Sequence, residues 1–117
     1  MKNIVLILAF LVSGYGFSQE TKVELTEKGD ITEAVYYYDN GNVQQKGTFN
    51  SSGKLHGEWV SYDINGKKTA LANYENGEKV GKWFFWEGDV LREVDFVNSK
   101  ITAVQEWKQN SSVAFRN

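Results

Sequence analysis

The chain has 117 residues, carries 13 basic and 15 acidic side chains for a formal net charge of −2, and contains no cysteine. The lack of cysteine excludes disulfides, thiolate nucleophiles, cysteine-based metal sites and a lipid anchor attached to cysteine. Because the two signs of charge are interspersed and form no basic stripe, the sequence argues against nucleic-acid binding.

Residues 1–18 have the pattern of a secretory signal peptide. Lys2 supplies the positive charge, residues 4–12 form an uninterrupted apolar run, and small residues up to Ser18 precede a cleavage site before Gln19. A run of about nine apolar residues is too short for a bilayer core, which needs roughly 20. We therefore expect a cleaved signal, no membrane anchor after cleavage, and a periplasmic or secreted protein.

The remainder is long enough for one domain with a modest core. Its composition is that of short aromatic strands joined by tight turns, with seven Phe, six Tyr, four Trp, eleven Gly and no Pro. We divide it into an N-terminal hairpin or cap at 19–35, a repeat array at 36–110 and a polar tail at 111–117.

The predicted strands follow one another as hairpins. In chain order they cover 23–26, 31–35 continuing through 36–38, 43–49, 57–62, 68–74, 81–86 and 90–96, with a last strand near Trp107. Turn pairs such as Asn76-Gly77 and Asn98-Ser99 support these boundaries, because Asn and Gly tolerate the positive φ that two-residue hairpin turns require. About eight strands are expected.

Two series of aromatic residues recur every 24 residues. The first is Trp59, Trp83 and Trp107, and the second is Tyr38, Tyr62 and Trp86. Gly57 and Gly81 each stand two residues before a Trp of the first series. The sequence therefore predicts an all-β fold, an antiparallel meander of about 24-residue β-hairpin repeats that forms an elongated single sheet or a gently coiled one.

Strand alternation separates the two faces of this sheet. On the returning strands a small or branched residue and an aromatic one share a face, as in Gly47 with Phe49, and polar residues such as Thr48 face the other way. The outgoing strand at 81–86 carries aromatic residues on both faces. We interpret Trp59, Trp83 and Trp107 as packing residues, and Tyr38, Tyr62 and Trp86 as a face available to a partner.

At these residues the chain resembles the bacterial MORN-variant repeat family, often labelled the YwqK-like antitoxin family. The shared pattern is an aromatic residue, a Gly-containing turn, a charged residue and Gly-x-Trp. It is present at Phe49 to Trp59 and again at Tyr74 to Trp83. The resemblance implies a sheet used as a scaffold for contacts with proteins or surfaces, and it implies no catalytic residues.

The antitoxin label implies a toxin as partner, and the signal peptide weighs against that role because such toxins are usually intracellular. MORN repeats are also linked to contact with membrane lipids. This acidic chain lacks the basic cluster that such contact needs.

The residues that could carry chemistry are few. His56 is the single histidine, and we interpret it as a turn residue rather than a general base, since Val80 occupies its place in the next unit. Asp63 to Gly66 resembles the start of a calcium loop, but Lys67 and Lys68 follow where further oxygen ligands are needed, so a β-turn is favoured. We expect no metal and no cofactor.

Four glutamates at strand ends and turns could in principle supply a carboxylate pair for glycoside hydrolysis. They are Glu58, Glu75, Glu78 and Glu87. Such chemistry needs two carboxyl groups set across a cleft, and solvated charges at a sheet rim explain these residues better.

The sequence therefore leaves three candidate functions. The first is a scaffold that binds another protein, with an antitoxin-like inhibitor as a special case. The second is a glycan-binding module, and the third, an enzyme, ranks last.

Overall fold

The computed structural model describes residues 22–108, which form one antiparallel sheet and contain no helix. Its strands are β1 (Lys22–Lys28), β2 (Ile31–Tyr37), β3 (Val43–Phe49), β4 (Gly57–Tyr62), β5 (Lys68–Glu75), β6 (Glu78–Lys79), β7 (Gly81–Glu87), β8 (Val90–Val97) and β9 (Lys100–Lys108). They lie in the order β1-β2-β3-β4-β5-β7-β8-β9, and the two-residue β6 pairs with β5. The predicted meander of eight strands is confirmed, with β6 as an additional short strand. The predicted signal peptide at 1–18 and tail at 111–117 lie outside the described residues.

Two-residue turns set the pairing of the later strands. Asn76 and Gly77 have φ values of 51° and 87°, and Asn98 and Ser99 have φ values of 50° and 68°. Positive φ at both central residues is what a type I′ hairpin turn requires. Ser99 is held in this unusual conformation by two hydrogen bonds, because its amide donates to the Lys79 carbonyl at 2.9 Å and its Oγ accepts from the Lys79 amide at 3.1 Å. The turns predicted at these two pairs are confirmed.

The core lies on one face of the sheet, called here the inner face. Its members come from every strand between β2 and β8 except β6, together with one loop residue. They are Ala34, Tyr36, Phe49, Leu55, Trp59, Ala72, Tyr74, Trp83, Val94 and Phe96, with Phe85 packed against them. The predicted alternation on the returning strands is confirmed, since the aromatic residue of each of those strands is buried on this face.

Large rings that lie over small neighbours let a single sheet bury a core without a second layer. The Trp59 ring covers Gly47 so closely that a Cβ atom at Gly47 would lie 2.0 Å from its Cδ2 atom. The indole Nε1 donates to the Thr48 carbonyl at 3.0 Å, and the ring meets Phe49 edge-on at a centroid distance of 5.2 Å. Trp59 is only 2 % exposed as a result.

The next unit repeats this arrangement. The Trp83 Nε1 donates to the Asn73 carbonyl at 3.0 Å, and the Trp83 ring meets Tyr74 edge-on at 5.2 Å. Ala72, which lies beside Trp83 in the register of β5 and β7, stands where the preceding unit has Gly47. The 24-residue period of the sequence is therefore a period of indole hydrogen bonds and ring contacts.

Trp107 does not lie on the inner face with Trp59 and Trp83. The prediction that it packs in the same way as those two residues is therefore wrong. Trp107 pairs with Leu91, which pairs with Trp86, so these three side chains lie on the face opposite to Trp83. The reason is the alternation along β9. Val104, rather than Trp107, pairs with Val94, which is the partner of Trp83, and Trp107 lies three residues beyond Val104, an odd number that places it on the opposite face.

Candidate binding face

The second face of the sheet, called here the outer face, carries an apolar stripe of its own. Cross-strand pairs place Val60 beside Leu71 and Leu71 beside Phe84, and all three lie outside the inner core cluster. The stripe continues over the ends of the strands. Its large members are Tyr62, Leu71, Phe84, Trp86, Leu91 and Trp107, each partly exposed. We call these six residues the aromatic outer face.

Phe84 and Trp86 form the flattest part of the aromatic outer face. Their rings stack with centroids 6.0 Å apart and planes 26° from parallel. Residues i and i+2 of a strand share a face, which explains why the sequence Phe84-Phe85-Trp86 directs Phe85 to the inner core and the other two rings outward. The prediction that β7 carries aromatic residues on both faces is confirmed.

Two lysines extend over rings of this face. The Nζ atom of Lys68 lies 5.9 Å from the Trp86 ring centroid, and that of Lys46 lies 5.9 Å from the Tyr62 ring centroid. An ammonium group at this distance is attracted by the negative face of the ring. The aromatic outer face thus has cations at its surface, although the chain as a whole is acidic.

A charged rim borders the apolar stripe. Lys82 bonds Glu93 Oε2 at 2.7 Å and Asp95 Oδ1 at 3.0 Å, and all three side chains point to the outer side of β7 and β8. These hydrogen bonds, first that to Glu93, raise the pKa of Lys82 above its ordinary value. The outer face therefore has an apolar middle and a paired, charged margin.

The three residues predicted to form a partner face meet different surroundings. Tyr62 and Trp86 belong to the aromatic outer face, where lysines lie over both rings. Tyr38 follows β2, and its hydroxyl donates to the Tyr62 carbonyl at 2.8 Å. Tyr38 thus joins two successive units, and a substitution there changes that junction as well as the surface.

Gly57 and Gly81 serve the backbone of the repeat. Their φ values are 94° and 68°, a region that residues with a side chain rarely adopt. Each stands at the start of the strand that carries the buried Trp of its unit. Their role as structural residues of the repeat follows from this conformation.

His56 and Asp63 are engaged in turns. The His56 Nδ1 accepts a hydrogen bond from the Asn76 amide at 3.1 Å. Asp63 Oδ1 accepts from the amides of Asn65 and Lys67, both at 2.9 Å, as in an Asx-type turn. Within residues 22–108, no group of three or more His, Cys, Asp or Glu side chains is placed to hold a metal ion.

The four glutamates considered for hydrolysis are spread over the sheet. Glu58 pairs with Asn73 on β5, and Glu87 pairs with Val90 at the opposite end of the strands and lies 3.7 Å from Arg92. Glu75 and Glu78 alone are neighbours, as cross-strand partners beside the Asn76 turn. The structure does not bring the four together.

Sequence reasoning missed the two lysines, Lys46 and Lys68, and the apolar residues Leu71 and Leu91. Neither lysine is near in sequence to the ring it covers, so only the pairing of β3 with β4 and of β5 with β7 brings them together. A sequence signal existed for Leu71 alone, because it directly precedes the core residue Ala72 along β5 and so faces the other way.

Comparison with known proteins finds a match to the family model described as MORN repeat variant, at residues 32–51 and 55–76. The first segment spans the β2–β3 hairpin and the second the β4–β5 hairpin. No curated protein and no solved structure matches the chain. Among the described residues, no helix is long and apolar enough to cross a membrane. The chain thus contains two segments similar to the MORN repeat variant, each built around one hairpin of the sheet.

Proposed function

We propose that the protein is an exported repeat scaffold that binds another protein through its aromatic outer face. The observation that carries the proposal is the stack of Phe84 and Trp86, which stays partly exposed on a sheet whose inner face already holds the core. Rings that pack only against their own neighbours in a single layer retain one side for a partner. Tyr62 and Trp107 extend the surface in both directions.

The chemistry of this face suits a protein partner. Interfaces between proteins combine a central apolar and aromatic patch with a charged rim. Here the patch is bordered by the Lys82, Glu93 and Asp95 cluster. Rigid aromatic side chains lose little conformational entropy on binding, which is why Tyr and Trp dominate the energetics of such surfaces. The MORN-variant match supports a scaffold role of this kind.

Export is part of the proposal and rests on the signal pattern at 1–18. The expected product begins at Gln19 and is found in the periplasm or the medium. Intact-mass measurement of the protein purified after expression of the full 117-residue sequence tests this. A product that retains Met1 and stays in the cytoplasm would refute export. The proposal that the outer face binds a protein would not be affected by that result.

A glycan is the second candidate ligand, favoured by the stacked Phe84 and Trp86 rings, because a flat pair of rings suits the apolar face of a sugar. An antitoxin-like role would make the partner a toxin bound at the same face. We assign no catalysis, since His56 and Asp63 already serve turn hydrogen bonds.

The test compares three proteins expressed from the full sequence. They are the wild type, a face variant with Tyr62→Ser and Trp86→Ser, and a control variant with Ile64→Ser. Ile64 is 50 % exposed and lies in the turn after β4, so its change removes a similar exposed apolar group away from the face. Tyr38 is left intact because its hydroxyl joins two units.

Each protein is used to capture partners from an envelope extract of the source organism. The affinity of any captured protein is then measured by titration, and a glycan array is run in parallel. We expect the face variant to lose at least tenfold in affinity and the control to keep it, while circular dichroism shows all three folded. Equal affinity of all three proteins for the captured partner would refute this face as the binding site. If a sugar on the array binds the wild type and the control but not the face variant, the ligand of the face is a glycan.

A further inference from the structure

The described sheet ends on two long strands whose outer edges pair with no described strand. β1 is exposed along its whole length, and β9 is exposed at every residue but Trp107. An unpaired edge presents a row of backbone N–H and C=O groups that can receive another strand. Both edges also carry exposed apolar side chains, since Leu25 is 47 % and Val104 is 55 % exposed.

Leu25 and Val104 are the two ends of one row of side chains on the inner face. The registers between neighbouring strands place the members of this row side by side across the whole sheet. In order they are Leu25, Ala34, Gly47, Trp59, Ala72, Trp83, Val94 and Val104. The inner members of the row are covered by neighbours. The two terminal members are exposed because no described strand lies beyond them.

The topology makes the two edges complementary. Eight strands lie on the path from β1 to β9 and every neighbouring pair is antiparallel, so β1 and β9 run in opposite directions. A second copy in the same orientation therefore places its β1 antiparallel to β9 of the first copy, with the inner faces on the same side. The row that ends at Val104 then continues at Leu25 of the next copy.

Charge distinguishes this pairing from pairing of like edges. Two β9 strands aligned at Val104 would bring Lys100 of each copy beside Lys108 of the other. Two β1 strands aligned at Leu25 would likewise place Lys22 opposite Lys28 at both ends. Like charges that face each other across strands are destabilising.

Pairing of β9 with β1 avoids these contacts. With Leu25 opposite Val104, Glu24 faces Gln105 and Lys22 faces Trp107, an ammonium group beside an indole ring. The Lys22 and Trp107 contact would lie on the outer face, where Trp107 is partly exposed. The central pairs of this register contain no like charges.

We propose that the protein assembles head to tail with copies of itself, β9 of one copy adding to β1 of the next in the register that sets Val104 beside Leu25. The contact joins two different surfaces, so it does not close on itself and each added copy offers a new free edge. The assembly extends the aromatic outer face across copies, but it does not depend on a partner at that face.

Lysine substitutions at the two edges test this arrangement, because an inward-facing charge blocks strand addition. The proteins are made from the full sequence and followed by sedimentation velocity over a concentration series. Leu25→Lys blocks one edge and leaves β9 free, and Val104→Lys blocks the other and leaves β1 free. Ile64→Lys, an equally exposed site in a turn, is the matched control. Both edge residues are exposed, so circular dichroism is expected to show unchanged folding.

We expect the wild type and Ile64→Lys to form species that grow with concentration, and each edge variant alone to remain monomeric. An equimolar mixture of the two edge variants should form dimers of twice the monomer mass and stop there, because the pairing uses the one free edge of each variant and both outer edges of the dimer are blocked. A wild type that is monomeric at every concentration would refute the proposal. So would a Leu25→Lys protein that still dimerises alone, which would indicate pairing of β9 with β9. Either result leaves the partner-capture test of the outer face unaffected.

Discussion

Gly47 is the position where one added methyl group should most disturb the inner core. Its backbone is extended rather than left-handed, so alanine meets no strain in φ. The obstacle is the Trp59 ring. Three of its atoms lie 2.0 to 2.4 Å from the position that a Cβ atom at Gly47 would take. Nothing flexible lies there to move aside, because the ring is buried and its Nε1 is bonded to the Thr48 carbonyl.

The expected loss of stability in Gly47→Ala follows from the contacts that the Trp59 ring would lose. Overpacking a core costs about 1 to 3 kcal/mol, and losing a large buried aromatic side chain costs about 3 to 5 kcal/mol. Displacement of Trp59 also breaks its indole hydrogen bond and its edge contact with Phe49. We therefore expect the free energy of unfolding to fall by roughly 3 kcal/mol.

Urea denaturation followed by far-ultraviolet circular dichroism measures this loss, and a double-mutant cycle assigns it. In a Trp59→Leu background the ring is absent, so Gly47→Ala should cost less than about 1 kcal/mol. Gly53→Ala serves as the control for backbone strain, since Gly53 has a φ of 80° and open space around it. An equal cost of Gly47→Ala in both backgrounds would refute the ring contact as its cause.

Two further predictions concern the turns and the buried tyrosines. Asn76→Ala should lower the free energy of unfolding by about 1 kcal/mol, because Asn76 has a φ of 51° and its Oδ1 accepts from Asn50 Nδ2 at 2.8 Å, whereas Asn76→Gly should cost less. The measurement is urea denaturation, and equal costs would contradict the conformational argument. Burial raises the pKa of Tyr36 and of Tyr74 to about 12. Stability should therefore be complete below pH 10 and fall as the pH rises toward 12, because the unfolded chain releases these protons first. Tyr74→Phe should reduce the slope of this fall, as measured by urea denaturation at a series of pH values, and an unchanged slope would contradict the assignment.

Local features of the sequence were sufficient for the strands and turns. Asn76-Gly77 and Asn98-Ser99 were recognisable as turns because few residues tolerate positive φ at two successive positions. The alternation of Gly47 with Phe49 and of Ala72 with Tyr74 indicated the buried face, because side chains along a strand alternate strictly. The same rule separated Phe85 from Phe84 and Trp86.

The candidate face was predictable only in part. Tyr62 and Trp86 were expected to be available to a partner, and both are partly exposed, yet Tyr38 is tied to the neighbouring unit by its hydroxyl. The lysines over the rings could not be anticipated. Their contacts join residues 16 and 18 positions apart, and they depend on registers that a single strand does not encode.

The sequence by itself determined the all-β meander, its 24-residue period and the burial of Phe49, Trp59, Tyr74, Trp83 and Phe96. Turn chemistry and strand alternation act over a few residues, which is why a local reading was sufficient for these features. Tertiary structure decided which face of the sheet the last tryptophan occupies. Trp107 keeps the spacing of Trp59 and Trp83 but falls on the opposite face, since the residue of β9 that aligns with Trp83 across the sheet is Val104, three residues before Trp107. It also decided that Leu25 and Val104 end the same row on opposite edges. That relation is the sum of the registers across the sheet, and no local pattern of residues contains it.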